Sequence, residues 1–144
     1  MDIEILSDGV EFDLYGVSGD VENHDYAGTG QRLMAEMGKR INEAGLLKNG
    51  MYWVYDTAKH MFTGVKVDDA NAADKILEHK LVKLEKYAYY KHVGPYEKLG
   101  DIHRGIEQEL AARNLEECGP RVEKYGSWSD NSSKLVTEVL VGLC

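Results

Sequence analysis

Glu138 stands in the last apolar run of the chain, Leu135-Val136-Thr137-Glu138-Val139-Leu140-Val141, and no Lys or Arg follows Lys134. Alternate residues of a strand share a face, so this carboxylate joins one row with Val136 and Leu140. Carboxylates are seldom buried without a partner. Two readings follow. The acid faces solvent on an edge strand or bridges to Lys124 or Lys134, or it forms the floor of a pocket that receives a cation. The ring content bears on the second, because the chain has 9 Tyr and 2 Trp against 2 Phe. Tyr and Trp combine a flat face for stacking with a polar edge, which suits planar or cationic ligands. Trp53 and Tyr55 share one strand face, and Tyr87, Tyr89 and Lys91 share another. Tyr125 and Trp128 close the penultimate strand. For each ring the alternative is to fill the core. A cation–π contact contributes about 1 kcal/mol and an unpaired buried carboxylate costs several, so the acid would select charge and the rings would add affinity.

Other chemistries find less. His24, His60, His79, His92 and His103 are scattered, with no i, i+4 pair on one helix, and the two cysteines lack a second Cys or a His at ligand spacing. No metal and no cofactor is expected. Gly28-Thr29-Gly30 lacks the third glycine and the preceding strand of a dinucleotide fingerprint, and no Ser-His-Asp order or phosphate loop is present.

These side chains must be positioned by a single domain spanning residues 1–144, and the element order repeats within it. Val10 to Val17 alternates as a strand. A helix is expected over 26–44, with Leu33, Met37 and Ile41 on one stripe, Asp25 as cap and Gly45 as stop. Two strands follow, 51–55 and 61–67, and then a polar stretch to Asp74. Residues 81–93 read as one long strand. Gly94-Pro95 breaks it and starts a second helix to about Asn114, with Leu99, Ile102, Ile106 and Leu110 as its stripe. Strands at 121–125 and 135–141 close the chain. Leu33 matches Ile102 and Gly50 matches Gly119, each pair 69 positions apart. The pseudo-repeats, about 10–68 and 81–143, are each strand, helix, strand, strand. Each covers one sheet face with its helix, and two such units are expected to pack about a pseudo-twofold seam with a cleft between them.

The formal net charge of −8 argues against nucleic acid or an anionic membrane as partner. There is no basic leader followed by an apolar stretch, and no run of membrane-spanning length. Cys118 and Cys144 do not make a disulfide framework. These features read as a cytoplasmic protein.

Tyr87-Ala88-Tyr89-Tyr90-Lys91-His92-Val93-Gly94-Pro95-Tyr96, the Gly119-Pro120 turn, Tyr125-Gly126-Ser127-Trp128 and the closing Thr137-Glu138-Val139-Leu140-Val141 resemble the GyrI-like small-molecule-binding family. This is the effector-binding domain also fused to bacterial multidrug-responsive regulators. The resemblance runs from about Val10 to Leu143 and is sharpest from Tyr87 onward. It implies an α+β fold of duplicated strand-helix-strand-strand units, with an aromatic cleft for bulky cationic aromatic compounds. It also implies an acid of the last strand at the pocket floor, the position Glu138 matches. Trp53, Tyr55, Tyr125 and Trp128 match aromatic positions of stand-alone members. Two departures bear on this: the stretch ahead of Val10 has no room for the regulators' helix-turn-helix, so direct transcriptional control is not expected, and Gly142-Leu143 stands where many members have a proline.

Three functions compete. The first is a binder of hydrophobic, cationic aromatic molecules, acting as a drug sink or sensor. The second is a hydrolase opening cyclopropane rings of DNA-alkylating natural products, with Glu138 activating water and Tyr125 or another pocket tyrosine donating to the leaving oxygen. The third is inhibition of a protein partner such as DNA gyrase.

Overall fold

Apolar stripes at helical spacing and alternating runs at strand spacing divide this chain, and the computed structural model, which describes residues 1–144, follows that division closely. Eight strands and three helices occur in the order β1 (Glu4–Leu6), β2 (Val10–Asp20), α1 (Tyr26–Ala44), β3 (Lys48–Thr57), β4 (His60–Val67), α2 (Ala70–Asp74), β5 (Glu78–Leu84), β6 (Tyr87–Val93), α3 (Leu99–Ala112), β7 (Glu117–Tyr125) and β8 (Val136–Leu143). The fold class is α+β, as expected, and the paired strands given by register are all antiparallel.

The chain forms two compact units, one of residues 11–83 and one of residues 1–10 with 84–144. In the first, the strand order is β3-β4-β2-β5. α1 begins where the Asp25 carboxylate accepts from the Gly28 N–H at 2.9 Å. It ends at Gly45, whose φ of 65° suits a residue without Cβ. Its stripe Leu33, Met37 and Ile41 is buried as the 3.6-residue period requires. Each such side chain contributes about 1.5–3 kcal/mol on burial.

In the second unit the order is β1-β6-β8-β7. One face of these strands is covered by α3: Ile3, Ala88, Val139, Val141 and Leu143 pack with Leu99, Ile106 and Leu110, and Tyr90, Tyr96, Ile102 and Tyr125 pack on the margin. Pro95 precedes a short 3-10 turn, Tyr96–Lys98, that leads into α3.

Several expectations need correction. The run 81–93 is not one strand: it divides at Glu85-Lys86, so that β5 lies beside β2 while β6 lies between β1 and β8. A continuous apolar pattern does not reveal a change of partner. The polar stretch after Asp68 contains helix α2, capped by Asp69, whose carboxylate accepts from the Ala72 N–H at 3.1 Å. The N-terminal strand β1, unassigned from sequence, pairs with β6 through Glu4 opposite Tyr89. Cys118 and Cys144 are joined as a disulfide across 26 positions of sequence, with Cα atoms 5.0 Å apart. No helix is long and apolar enough to cross a membrane.

Candidate functional site

Strand alternation and the position of α3 sort the expected site residues onto two faces. In β8, Val139, Val141 and Leu143 point to α3, so Glu138 and Leu140 point to the face away from it. β6 places Lys91 opposite Glu138, and β7 places Lys124 opposite it from the other side. Glu138 therefore lies in a cross-strand row between two lysines. Its side chain is 31% exposed, and the Lys124 Nζ is 3.7 Å away.

Tyr89, diagonal to Glu138 on the same face, donates its hydroxyl to Glu138 Oε1 at 2.5 Å. Burial first, and then the bond to the Glu138 carboxylate and its charge, push the Tyr89 phenol up to about 12. Tyr87 is buried beside them and donates to Asp8 Oδ1 at 3.4 Å. Desolvation is the largest cause of its raised pKa, followed by the Asp8 charge.

The acid enclosed most fully is a different one. Glu123, on β7, is 2% exposed and is the one charged residue in the buried class. Register sets it opposite Val139, on the α3 side. Two residues on and therefore on the same face, Tyr125 donates its hydroxyl to Glu123 Oε1 at 2.6 Å. From α3, His103 Nε2 reaches Glu123 Oε2 at 2.8 Å, and its Nδ1 lies 3.2 Å from Arg121 Nη1. A guanidinium only donates, so Nδ1 accepts here and the Nε2–H is the proton directed at Glu123. Arg121 is also held by Glu117 and Glu107, at 2.7 and 2.8 Å. Hydrogen bonding to Glu117 is the largest cause of its raised pKa.

Rings extend outward from this carboxylate. Tyr96 meets Tyr125 edge to face, with centroids 5.4 Å apart, and Trp128 lies 6.4 Å from Tyr96. Trp128 is 72% exposed and donates its indole N–H to Asp130. The sequence reading paired Tyr125 with Glu138. The structure separates them, because Tyr125 faces α3 and Glu138 faces away from it.

Trp53 and Tyr55 belong to the other unit, on the α1 side of β3. Tyr55 meets Tyr26 of α1 edge to face at 5.7 Å. A Cβ at Gly30 would lie 2.2 Å from the Trp53 ring, so the indole rests on the bare glycine backbone of α1. Each unit has an edge-to-face tyrosine pair, Tyr26–Tyr55 in one and Tyr96–Tyr125 in the other. Trp53 precedes its tyrosine by two residues where Glu123 precedes Tyr125. Two surface depressions, of about 410 and 660 Å³, lie along α1; the larger is lined by Ser18, Arg32, Glu36 and Glu78 among others, and neither includes the expected site residues.

Glu123 was missed because Val122-Glu123-Lys124-Tyr125 looks like an ordinary exposed strand end. One signal was available: its shared face with Tyr125.

No family model and no curated protein sequence matches the chain. Solved structures do match. The crystal structure of the EcmrR C-terminal domain superposes with a TM-score of 0.80 at 14% identity, covering 99% of this chain and 97% of that one. SAV2435 bound to tetraphenylphosphonium gives 0.67 at 17%, covering 100% and 94%. A hydrolase from Listeria innocua gives 0.56 at 14%, covering 99% and 91%. These likenesses establish the GyrI-like fold expected from the sequence. They carry nothing about DNA gyrase.

Proposed function

We propose that this chain binds hydrophobic, cationic aromatic small molecules, as a sink or sensor, with Glu123 as the anionic partner and Tyr96, Tyr125 and Trp128 as the ring surface. One observation carries this reading: the single buried carboxylate lies on the same strand face as a tyrosine that begins a chain of rings leading to an exposed indole. Away from water a carboxylate attracts a cation several-fold more strongly than at the surface. The rings add cation–π attraction of about 1 kcal/mol each and tolerate many ligand shapes. The binding of tetraphenylphosphonium by a protein of the same fold supports the choice of ligand class.

Glu138, the acid expected from the last strand, is the lesser candidate. Lysines stand on both sides of it in register, and the Lys124 Nζ, 3.7 Å from its carboxylate, partly offsets its charge. The decisive experiment is a calorimetric titration with tetraphenylphosphonium of the natural chain, Glu123→Gln and Glu138→Gln. Loss of the buried charge weakens binding by about tenfold or more, and loss of Glu138 by less than about twofold. Unchanged affinity in Glu123→Gln would overturn the assignment.

A second reading, hydrolysis of a strained ring such as a cyclopropane, is favoured by one feature. Glu123 lies between a tyrosine hydroxyl and an imidazole, an arrangement that can take a proton from water while a donor meets the leaving atom. Mass spectrometry of a cyclopropane-bearing alkylator incubated with the protein tests it. No enzyme-dependent gain of water would exclude it.

A further inference from the structure

Glu116, Cys118 and Cys144 converge at the end of the β7–β8 ladder. Register sets Glu117 opposite Leu143, and the Cys144 N–H donates to the Glu116 carbonyl at 3.0 Å. Glu116 and Cys118 therefore stand two apart on one strand edge, with Cys144 directly across from the first. Leu143 packs in the α3 cluster, so alternation turns these three side chains to the opposite face. Their ligand atoms all lie within 4.8 Å of one another, and all three residues are exposed.

We propose that in the reduced chain this trio binds one thiophilic metal ion, with Cys118 and Cys144 as thiolate ligands and Glu116 as the carboxylate ligand. Two soft sulfurs select zinc-like and softer ions over magnesium or calcium, and a third, oxygen ligand leaves a tetrahedral ion one position for water. The ladder holds the two Cα atoms 5.0 Å apart before any ion arrives, which lowers the ordering cost of assembling the ligands. The same pairing closes the disulfide, so the oxidised chain lacks both sulfur ligands. Oxidation removes two protons and two electrons from the thiol pair; with oxidised glutathione as acceptor, two molecules of reduced glutathione are formed. Metal binding and disulfide formation are therefore mutually exclusive uses of one site. The site is separate from Glu123, whose ligand reading it does not require.

Cadmium chloride titrated into the reduced chain of residues 1–144 provides the test. The ultraviolet charge-transfer band of cadmium–thiolate bonds reads occupancy, and alkylation by iodoacetamide reads thiol protection. The expected result is one ion per chain, both cysteines shielded from alkylation, and no band once oxidised glutathione has closed the disulfide. Cys118→Ser loses the band, and Glu116→Gln keeps it with affinity lowered about tenfold or more. Oxidation removes the ligands without any substitution, so misfolding of a variant cannot imitate the result. Binding by the oxidised chain equal to that of the reduced chain would overturn the proposal, as would equal alkylation with and without cadmium.

Discussion

Glu123 and Glu138 occupy neighbouring strands of one antiparallel ladder yet point to opposite sides of it. Register places Glu123 across from Val139 and Lys124 across from Glu138, so a one-residue offset puts the first acid under α3 and the second between lysines. A side-chain period of two turns that offset into a change of environment. One carboxylate is 2% exposed, while the other keeps about a third of its side chain in water. The consequences can be measured.

Tyr125→Phe removes the hydroxyl that reaches Glu123 Oε1 at 2.6 Å and leaves the ring in place. A hydrogen bond to a buried charged group contributes about 1.5–3 kcal/mol. The variant is expected to lose that much unfolding free energy, seen as a lower urea midpoint with an unchanged m-value. A loss below about 0.5 kcal/mol would mean that the carboxylate is satisfied equally well without this donor.

The Tyr89 phenol is raised by burial and by its bond to Glu138, from 10.0 to about 12. The folded chain thus holds this proton where the unfolded chain releases it. Its contribution to stability is full below about pH 10 and is lost as pH rises through about 12. In Glu138→Gln the Tyr89 titration, followed by tyrosinate absorbance against Tyr89→Phe, moves partway down. Burial, the larger cause, keeps it above the ordinary tyrosine value. No movement on removing the carboxylate would disprove the coupling.

Gly30→Ala brings a Cβ to 2.2 Å from the Trp53 ring, with further ring carbons at 2.3 and 2.6 Å. The indole is buried and has little room to retreat. Overpacking of this kind costs about 1–3 kcal/mol, despite the better helix propensity of alanine. Thermal unfolding should show a lowered Tm. A raised Tm would show that the ring moves freely.

Trp128 and Trp53 contribute the two indoles of the chain, one 72% exposed beside Tyr96 and one 8% exposed against α1. If cations bind near Glu123, quenching by tetraphenylphosphonium reports mainly through Trp128. Trp128→Phe is expected to lose most of that quenching while Trp53→Phe retains it. The reverse pattern would place the ligand at the other unit.

The sequence alone determined the main elements, though not β1, α2 or the break between β5 and β6. The stripe of Leu33, Met37 and Ile41 with Asp25 and Gly45 at its ends defines α1, because helix period and capping chemistry are local. The repeat, the α+β class and the excess of tyrosine and tryptophan over phenylalanine were equally visible, and they led to an acid among rings. Tertiary structure decided which acid is enclosed. Alternation states which residues share a face, but only the docking of α3 against Val139 and Val141 states which face is enclosed, and that contact joins segments far apart in sequence. For the same reason Leu81 to Val93 read as one strand although its halves have different partners. Cys118 and Cys144 likewise read as unrelated until the β7–β8 ladder brought them side by side.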